Sequence, residues 1–232
     1  MKLNMEERRR IALLIPFYNE RERLKLTQLF ELAEMSRDLL DIYLVDDGST
    51  DGFFKELETY VKENHLENVQ ILRKDSNDGK AETIRFGIYK ITLEDYVYIG
   101  FTDADFASPP SEIIRLAQIA RLGEGSLIYG SRKKVANNRI STSKFRFWQG
   151  QFFNFLVRKI LMLDLEDSQC GLKFYPVALP RDFTLKEVFA EQFQNEWLVD
   201  IELTFRIMKL RQMRVLEVRL ESWEHKKKSK TS

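Results

Sequence analysis

Short apolar runs alternate with amphipathic segments along the first half of the chain, and this alternation constrains the fold more than any other feature. Each run is too short for a buried helix and predicts a buried strand; the runs are residues 11–15, 42–45, 69–72, 96–101 and 127–129. The segments between them carry apolar residues at helical spacing, such as Leu29 and Leu32. This order predicts an α/β domain in which helices flank a mostly parallel sheet.

Composition narrows the class of protein. The 232 residues are 44% hydrophobic and 31% charged, with no repeat or linker, which indicates a single globular domain. A net charge of +1 argues against a nucleic-acid partner. The single cysteine excludes an internal disulfide, and the two distant histidines exclude a His-rich zinc site. The charged first ten residues and the lack of any long apolar run predict a cytoplasmic protein, with membrane contact that is peripheral or made through a partner.

Polar residues follow each of the first four predicted strands. Ligands of open α/β sheets bind outside the carboxyl ends of the strands, so these clusters predict one shared site. The most informative cluster is Asp103-Ala104-Asp105, because two adjacent carboxylates can bind Mg²⁺ or Mn²⁺ and, through the metal, a diphosphate. The plain alternative is an acidic turn at a strand end. The other three clusters are residues 18–20, 46–47 and 77–80.

Five short motifs in a fixed order carry a family resemblance. They are Pro16-Phe17-Tyr18-Asn19-Glu20, Asp46-Asp47-Gly48-Ser49-Thr50-Asp51-Gly52, Asn77-Asp78-Gly79-Lys80, Asp103-Ala104-Asp105 and Gly130-Ser131-Arg132. The set resembles the family 2 glycosyltransferases, which have a GT-A fold. Later motifs in residues 167–173, 197–203 and 217–223 extend the resemblance over nearly the whole chain. They are most similar to the branch of dolichyl-phosphate glucosyltransferases and polyprenyl-phosphate mannosyltransferases.

The resemblance implies one catalytic domain over residues 1–232, with a nucleotide-sugar half at about 11–132 and an acceptor half at about 133–225. It implies that Asp103 and Asp105 bind the metal. The residues implied to bind the nucleotide sugar are Pro16, Tyr18, Glu20, Asp47, Lys80 and Asp103. Tyr18 offers a stacking face, Asp47 accepts from the base, and Lys80 offsets diphosphate charge. Taken alone, Pro16 is also typical of a strand-end turn, and a loop lysine is ordinarily solvated.

On the acceptor side, the resemblance implies binding by Arg132, Arg146 and Gln169, and catalytic roles for Asp167 and Asp200. Arginine suits an anionic acceptor because its planar fork matches phosphate oxygens. Asp200 matches the position of the general base, which a hydroxyl acceptor needs and an ionised phosphate acceptor does not. A carboxylate early in a helix is also simply favourable to the helix dipole, and Arg146 could equally be a surface charge.

These motifs together predict a metal-dependent, inverting hexosyltransferase that uses a UDP- or GDP-sugar and a polyprenyl or dolichyl phosphate. The alternatives are a sugar hydroxyl of a polysaccharide or glycolipid as acceptor, a non-catalytic nucleotide-binding relative, and a nucleotidyltransferase. The last would need a Gly-rich basic loop where residues 16–20 stand. Ala107 stands where some mannosyl relatives carry a metal-binding glutamine, which favours the glucosyl branch. The aromatic, basic residues 145–163 fit either buried core or an amphipathic helix on the cytoplasmic membrane face.

Overall fold

The computed structural model describes residues 10–123, 125–133, 139–141, 165–179, 185–191, 199–209 and 213–224. The strands are β1 (Arg10–Phe17), β2 (Leu40–Asp46), β3 (Val69–Arg73), β4 (Tyr96–Phe101), β5 (Leu127–Ser131), β6 (Arg139–Ser141), β7 (Lys173–Pro176), β8 (Val215–Arg219) and β9 (Ser222–Glu224). The α-helices are α1 (Leu26–Met35), α2 (Phe53–Glu63), α3 (Gly79–Lys90), α4 (Pro110–Leu122), α5 (Leu185–Val188) and α6 (Val199–Lys209). The predicted strand–helix alternation is confirmed through β5.

Seven strands form one sheet in the order β3-β2-β1-β4-β7-β5-β8, and β6 pairs with β9 in a small second sheet. All pairs in the large sheet are parallel except those of β7, which runs antiparallel to β4 and β5. The chain builds outward from β1 to β3 and then returns to place β4 on the other side of β1. This reversal of direction opens a crevice at the carboxyl ends of β1 and β4, which is where ligands of such sheets bind.

Two hydrophobic clusters cover the two faces of the sheet. Successive residues of β1 point to opposite faces, so Leu13 packs in the cluster that contains Leu29 of α1, while Leu14 packs in the cluster that contains Ile84 of α3. The second cluster also takes in α5 and α6 through residues such as Leu203. The central strands β1, β2 and β4 are thus buried on both sides, and polar side chains follow at their carboxyl ends.

Within the described residues, no helix combines the length and the apolar character that crossing a bilayer would require. Residues 145–163, for which the sequence allows either core packing or bilayer contact, lie outside the described part of the chain.

Candidate functional site

The crevice between the ends of β1 and β4 holds a network of ion pairs. Arg23 lies in the turn after β1, where its backbone N–H donates to the carbonyl of Glu20 at 2.9 Å. The Arg23 guanidinium donates from Nη2 to Oδ2 of Asp105 at 2.6 Å and from Nη1 to Oε1 of Glu20 at 2.7 Å. One cation therefore joins a predicted metal ligand to a predicted nucleotide-binding carboxylate.

Glu20 carries a buried carboxylate oxygen whose hydrogen-bonding capacity is not satisfied. Its Oε2 is buried and has no hydrogen-bond partner among the described residues. Burial raises the pKa of Glu20 to about 7. The positive charge of Arg23 only partly opposes this rise, and the negative charges of Asp105 and Asp103 add to it. Near neutral pH this oxygen can accept or donate a hydrogen bond, and a ribose hydroxyl can do the same.

The first carboxylate after β4, Asp103, pairs with α3. Lys80 lies in the first turn of α3 and donates from Nζ to Oδ1 of Asp103 at 2.7 Å. The charge of Lys80 outweighs desolvation and holds the pKa of Asp103 below its usual value. The side chains are 35% and 48% exposed, so this pair is open to an incoming ligand.

Asp47 fixes the loop that leads to Lys80. Its Oδ1 accepts from Nζ of Lys74 at 2.6 Å and from the N–H of Asp78 at 3.0 Å, and its Oδ2 accepts from the N–H of Gly79 at 2.9 Å. Gly48 is required beside it, because its φ is +73° and a Cβ there would lie 2.8 Å from the carbonyl carbon of Ser76. The structure thus gives Asp47 a positioning role, and its contact with a nucleotide base stays a prediction.

The loops after β1 and β2 are tied together at the rim of the site. Asn19 accepts through Oδ1 from the N–H of Thr50 at 2.9 Å, and its own N–H donates to Oγ of Ser49 at 3.0 Å. Tyr18 is 40% exposed next to this link, so its ring is accessible for stacking. Pro16 is the next-to-last residue of β1 and is half-buried, and its contact with a nucleotide stays a prediction.

On the other side of β4, Arg132 and Asp167 form a two-pronged ion pair. Nε and Nη2 of Arg132 each lie 2.7 Å from an Asp167 carboxylate oxygen, and the N–H of Arg132 adds a third bond at 2.9 Å. The Arg132 guanidinium also lies over the ring of Trp223, 5.3 Å from its centroid. Although burial raises the pKa of Asp167, the bonds from Arg132 outweigh it and lower the pKa overall.

Glu217 of β8 fixes the start of this acceptor-side loop. Its two carboxylate oxygens accept from the N–H groups of Glu166 at 2.7 Å and Asp167 at 2.6 Å. Gln169 follows in the same loop, where its N–H donates to Asp167. Residues predicted for catalysis and for acceptor binding, Asp167 and Arg132, are therefore held against each other. Nη1 of Arg132 is outside this pairing and can meet an anion.

Sequence reasoning missed three residues of the site. Arg23 is one charged residue in a charged segment, and nothing in its pattern distinguishes it. Gly171 lies against Asp103, and Lys173 is fully buried in β7 with Nζ 3.1 Å from the carbonyl of Ser168. A lysine inside a buried strand was the available signal, since lysine is rarely fully buried without a charge partner.

The ion pairs of the site also act on one another. Lys173 and Arg132 act electrostatically on Asp103, and Asp103 and Asp105 act on Glu20, so the network is one electrostatic unit. Its carboxylates are Glu20, Asp103, Asp105 and Asp167, and its cations are Arg23, Lys80, Arg132 and Lys173.

The candidate ligands fit a divalent cation that takes only some of its ligands from the protein. Across the described ranges, no three His, Cys, Asp or Glu side chains are grouped closely enough to hold a metal ion. Mg²⁺ typically takes one or two carboxylates and completes its shell with phosphate oxygens and water. Asp103 and Asp105 would supply such a pair of hard oxygen ligands, and Oε2 of nearby Glu20, which has no hydrogen-bond partner among the described residues, is a further oxygen atom close to them.

Two predicted residues cannot be placed in the site. Asp200 is the second residue of α6, and the structure describes its backbone but not its side chain. Arg146 lies outside the described residues altogether.

A family model described as "Glycosyl transferase family 2" matches residues 12–179. A dolichyl-phosphate beta-glucosyltransferase of Drosophila melanogaster is 26% identical over 208 residues, which cover 84% of this chain and 61% of that protein. An undecaprenyl-phosphate 4-deoxy-4-formamido-L-arabinose transferase of Pseudomonas fluorescens is 31% identical over 167 residues, covering 71% of this chain and 46% of that protein. This chain thus spans roughly half to three-fifths of the length of these curated relatives.

Among solved structures, glucosyl-3-phosphoglycerate synthase from Mycobacterium tuberculosis superposes with a TM-score of 0.64 at 16% identity, covering 94% of this chain and 71% of that one. That protein was crystallised with Mn²⁺, UDP and phosphoglyceric acid. At this identity the likeness shows the fold alone, and it confirms the predicted GT-A architecture. The family match likewise confirms the resemblance read from the ordered motifs.

Proposed function

The chain belongs to glycosyltransferase family 2, and we propose that it transfers a hexose from a UDP- or GDP-linked sugar to a polyprenyl phosphate. One observation carries the proposal. The pairs Arg23–Asp105 and Lys80–Asp103 bring the ends of β1 and β4 and the start of α3 into one crevice of charged groups. That crevice offers carboxylates for a metal, a cation for phosphate and an exposed tyrosine for a base.

The ion pairing within the crevice supports a metal-assisted donor site. A nucleotide diphosphate is an anion, and Arg23, Lys80 and Arg132 are each already paired with a carboxylate. A donor that enters with a divalent cation keeps the total near neutral, whereas the diphosphate alone would leave buried negative charge uncompensated. Asp103 and Asp105 would hold the cation, which supplies Lewis-acid stabilisation of the departing diphosphate when it is bound.

The proposed chemistry is an in-line displacement that inverts the anomeric carbon. An oxygen of the acceptor forms a bond to that carbon from the face opposite the diphosphate. The bond from the carbon to the diphosphate oxygen breaks, and its electron pair stays on that oxygen. Lys80 lies where it can offset this charge once the donor draws it from Asp103, and such a contact lowers the barrier to the extent that it strengthens as the charge develops.

An anionic acceptor is supported by Arg132. Asp167 engages Nε and Nη2 of its guanidinium, so the arginine is rigid and Nη1 remains for a phosphate oxygen. A phosphate acceptor is already ionised and attacks without a general base. The printed names of both curated relatives, which are polyprenyl-phosphate transferases, support the same acceptor class.

Donor binding tests the first half of the proposal. Thermal-shift measurements with UDP-glucose, GDP-mannose and related donors, with and without Mn²⁺, should show one selective stabilisation that depends on the metal. Calorimetry with Asp105→Ala should lose this binding. Asp38→Asn is the control, since Asp38 is exposed between α1 and β2, at the opposite edge of the sheet. Donor binding that persists in Asp105→Ala would refute the metal role.

Acceptor choice tests the second half. With the selected donor, transfer to a short polyprenyl phosphate should proceed, while the corresponding polyprenol and free oligosaccharides should be inert. Transfer to an oligosaccharide hydroxyl instead would identify the glycan-extending alternative and reject the lipid phosphate.

A further inference from the structure

We propose that Arg23 competes with the divalent cation for Asp105, so that Arg23 sets how strongly metal binding depends on the nucleotide. The inference rests on the proposed function, because it takes Asp105 as a ligand of that metal. It adds Arg23, which belongs to none of the strand-end motifs. It also adds a coupling between metal binding and nucleotide binding, which the Asp103-Ala104-Asp105 motif alone does not imply.

Both oxygens of Asp105 are engaged in the structure. Oδ1 accepts from the N–H of Ala107 at 3.0 Å, and Oδ2 accepts from Arg23 at 2.6 Å. The Asp105 side chain is only 10% exposed and that of Arg23 27%, so water screens this ion pair weakly. A cation that binds Asp105 through Oδ2 would therefore compete with Arg23 for the charge of that oxygen.

Arg23 can release Asp105 without losing its other anchor. Nη1 stays bonded to Glu20, which belongs to the same turn, and Nε is buried with no hydrogen-bond partner among the described residues. Release leaves Nη2 available as a donor to a diphosphate bound beside Asp105. An arginine fork is well suited to phosphate oxygens.

This arrangement predicts an order of binding. Metal binding alone would leave Nη2 of Arg23 without a carboxylate partner and close to the positive charge of the metal, which is unfavourable in a partly buried site. When a nucleotide diphosphate binds together with the metal, Nη2 of Arg23 gains an anionic partner. In the wild-type protein, metal and nucleotide should therefore bind with strong mutual enhancement, by a factor of about ten or more.

The test measures Mn²⁺ binding directly, from the electron paramagnetic resonance signal of free Mn²⁺, with and without saturating UDP or GDP. Arg23→Gln should bind Mn²⁺ alone about tenfold more tightly than the wild type, and the enhancement by nucleotide should fall by a similar factor. Arg23→Lys, which keeps a cation with fewer donors, should lie between the two. Unchanged or weaker Mn²⁺ binding by Arg23→Gln without nucleotide would overturn the inference.

Arg21→Gln is the matched control. Arg21 is in the same turn but pairs with Glu56 of α2 at 2.8 Å, away from Asp105, so its loss should leave Mn²⁺ binding unchanged. Asp105→Asn in the Arg23→Gln background should remove the gained affinity, and retention of the gain would also overturn the inference. If the wild-type protein binds no Mn²⁺ even with nucleotide, the proposed function itself fails. If the wild-type protein binds Mn²⁺ only with nucleotide and Arg23→Gln has the same Mn²⁺ affinities, the competition by Arg23 is rejected and the proposed function stands.

Discussion

Gly171 lies directly against the carboxylate of Asp103: a Cβ at position 171 would be 2.3 Å from Oδ2 and 2.9 Å from Cγ. Asp103 follows β4 in the predicted donor half, and Gly171 precedes β7 in the predicted acceptor half. The two halves therefore touch at a point where no side chain fits. The position of the donor carboxylate is set in part by the loop that also carries Asp167.

Gly171→Ala should displace Asp103 and weaken donor binding more than it weakens the fold. The added methyl is closer to Asp103 than any ordinary contact, so either the loop or the carboxylate must move. We expect an overpacking cost of about 1–3 kcal/mol in the free energy of unfolding. Donor affinity should fall at least about tenfold, because displacement of a binding group by an ångström has effects of that size. Calorimetric titration with the donor and Mn²⁺ measures the affinity.

The control for this substitution is Gly123→Ala at the end of α4. The atoms nearest to its methyl would be the Ile119 and Ala120 carbonyl oxygens of α4 and the side chain of Ile128, each at 3.2–3.3 Å. It should change stability modestly and leave donor affinity unaltered. Equal donor affinity in both variants would show that Gly171 does not position Asp103.

Lys80→Met should separate binding from stability. The ion pair with Asp103 is 35% and 48% exposed, and such pairs contribute about 0–1 kcal/mol to folding. A charge-assisted contact to a diphosphate is worth about 1.5–3 kcal/mol, so donor affinity should fall tenfold or more. Urea denaturation and donor titration measure the two effects. Lys133→Met is the control, because Lys133 pairs with Glu166 on the surface and should affect neither.

Asp167→Asn should destabilise the protein in a pH-dependent way. The pKa of Asp167 is lowered in the folded state, so its charge stabilises the fold above the usual pKa of 3.8, and this stabilisation is lost as the pH falls through the lower folded value. Removing the charge leaves Arg132 without its carboxylate, at a cost of about 2–4 kcal/mol at pH 7. The difference from the wild type should shrink below about pH 4.

Thermal denaturation between pH 3 and pH 7 checks this dependence, with Glu166→Gln as the comparison. Glu166 pairs with Lys133 on the surface, where the loss should stay within about 0.5 kcal/mol. A pH-independent difference for Asp167→Asn would show that the loss comes from packing and not from charge.

The sequence predicts the donor side of the fold well because its signals are local. Strand runs, helix spacing and the residues that follow each strand are all read within a few positions, so the sequence alone names Asp103, Asp105 and Lys80 as candidates, and their binding roles stay predictions. The antiparallel strand β7 was missed because Lys173–Pro176 has a lysine at one end and a proline at the other. Its strand character comes from pairing with β4 and β5, which no local pattern records.

The ion pairs were not predictable for the same reason. Arg23 and Asp105 are 82 positions apart, and Arg132 and Asp167 are 35 apart. Each of these ion pairs forms because the sheet topology brings together strand ends that are distant in the sequence. The motifs therefore name the carboxylates of the candidate site and two of its cations, Lys80 and Arg132, while the structure adds Arg23, the ion-pair partners and Gly171 beside Asp103.

Asp200→Asn distinguishes the two acceptor classes. Asp200 is the second residue of α6, where a carboxylate also favours the helix dipole, so a small loss of stability, about 0.3–1 kcal/mol, is expected in either case. With a polyprenyl phosphate acceptor, the turnover number should fall only a few-fold, because the nucleophile is already ionised. With a hydroxyl acceptor, loss of the general base should lower it by about 10²–10⁴-fold. Steady-state rates at saturating donor, compared for both acceptors, give this ratio. An equally severe loss on both acceptors would mean that Asp200 positions the donor or the acceptor rather than removing a proton.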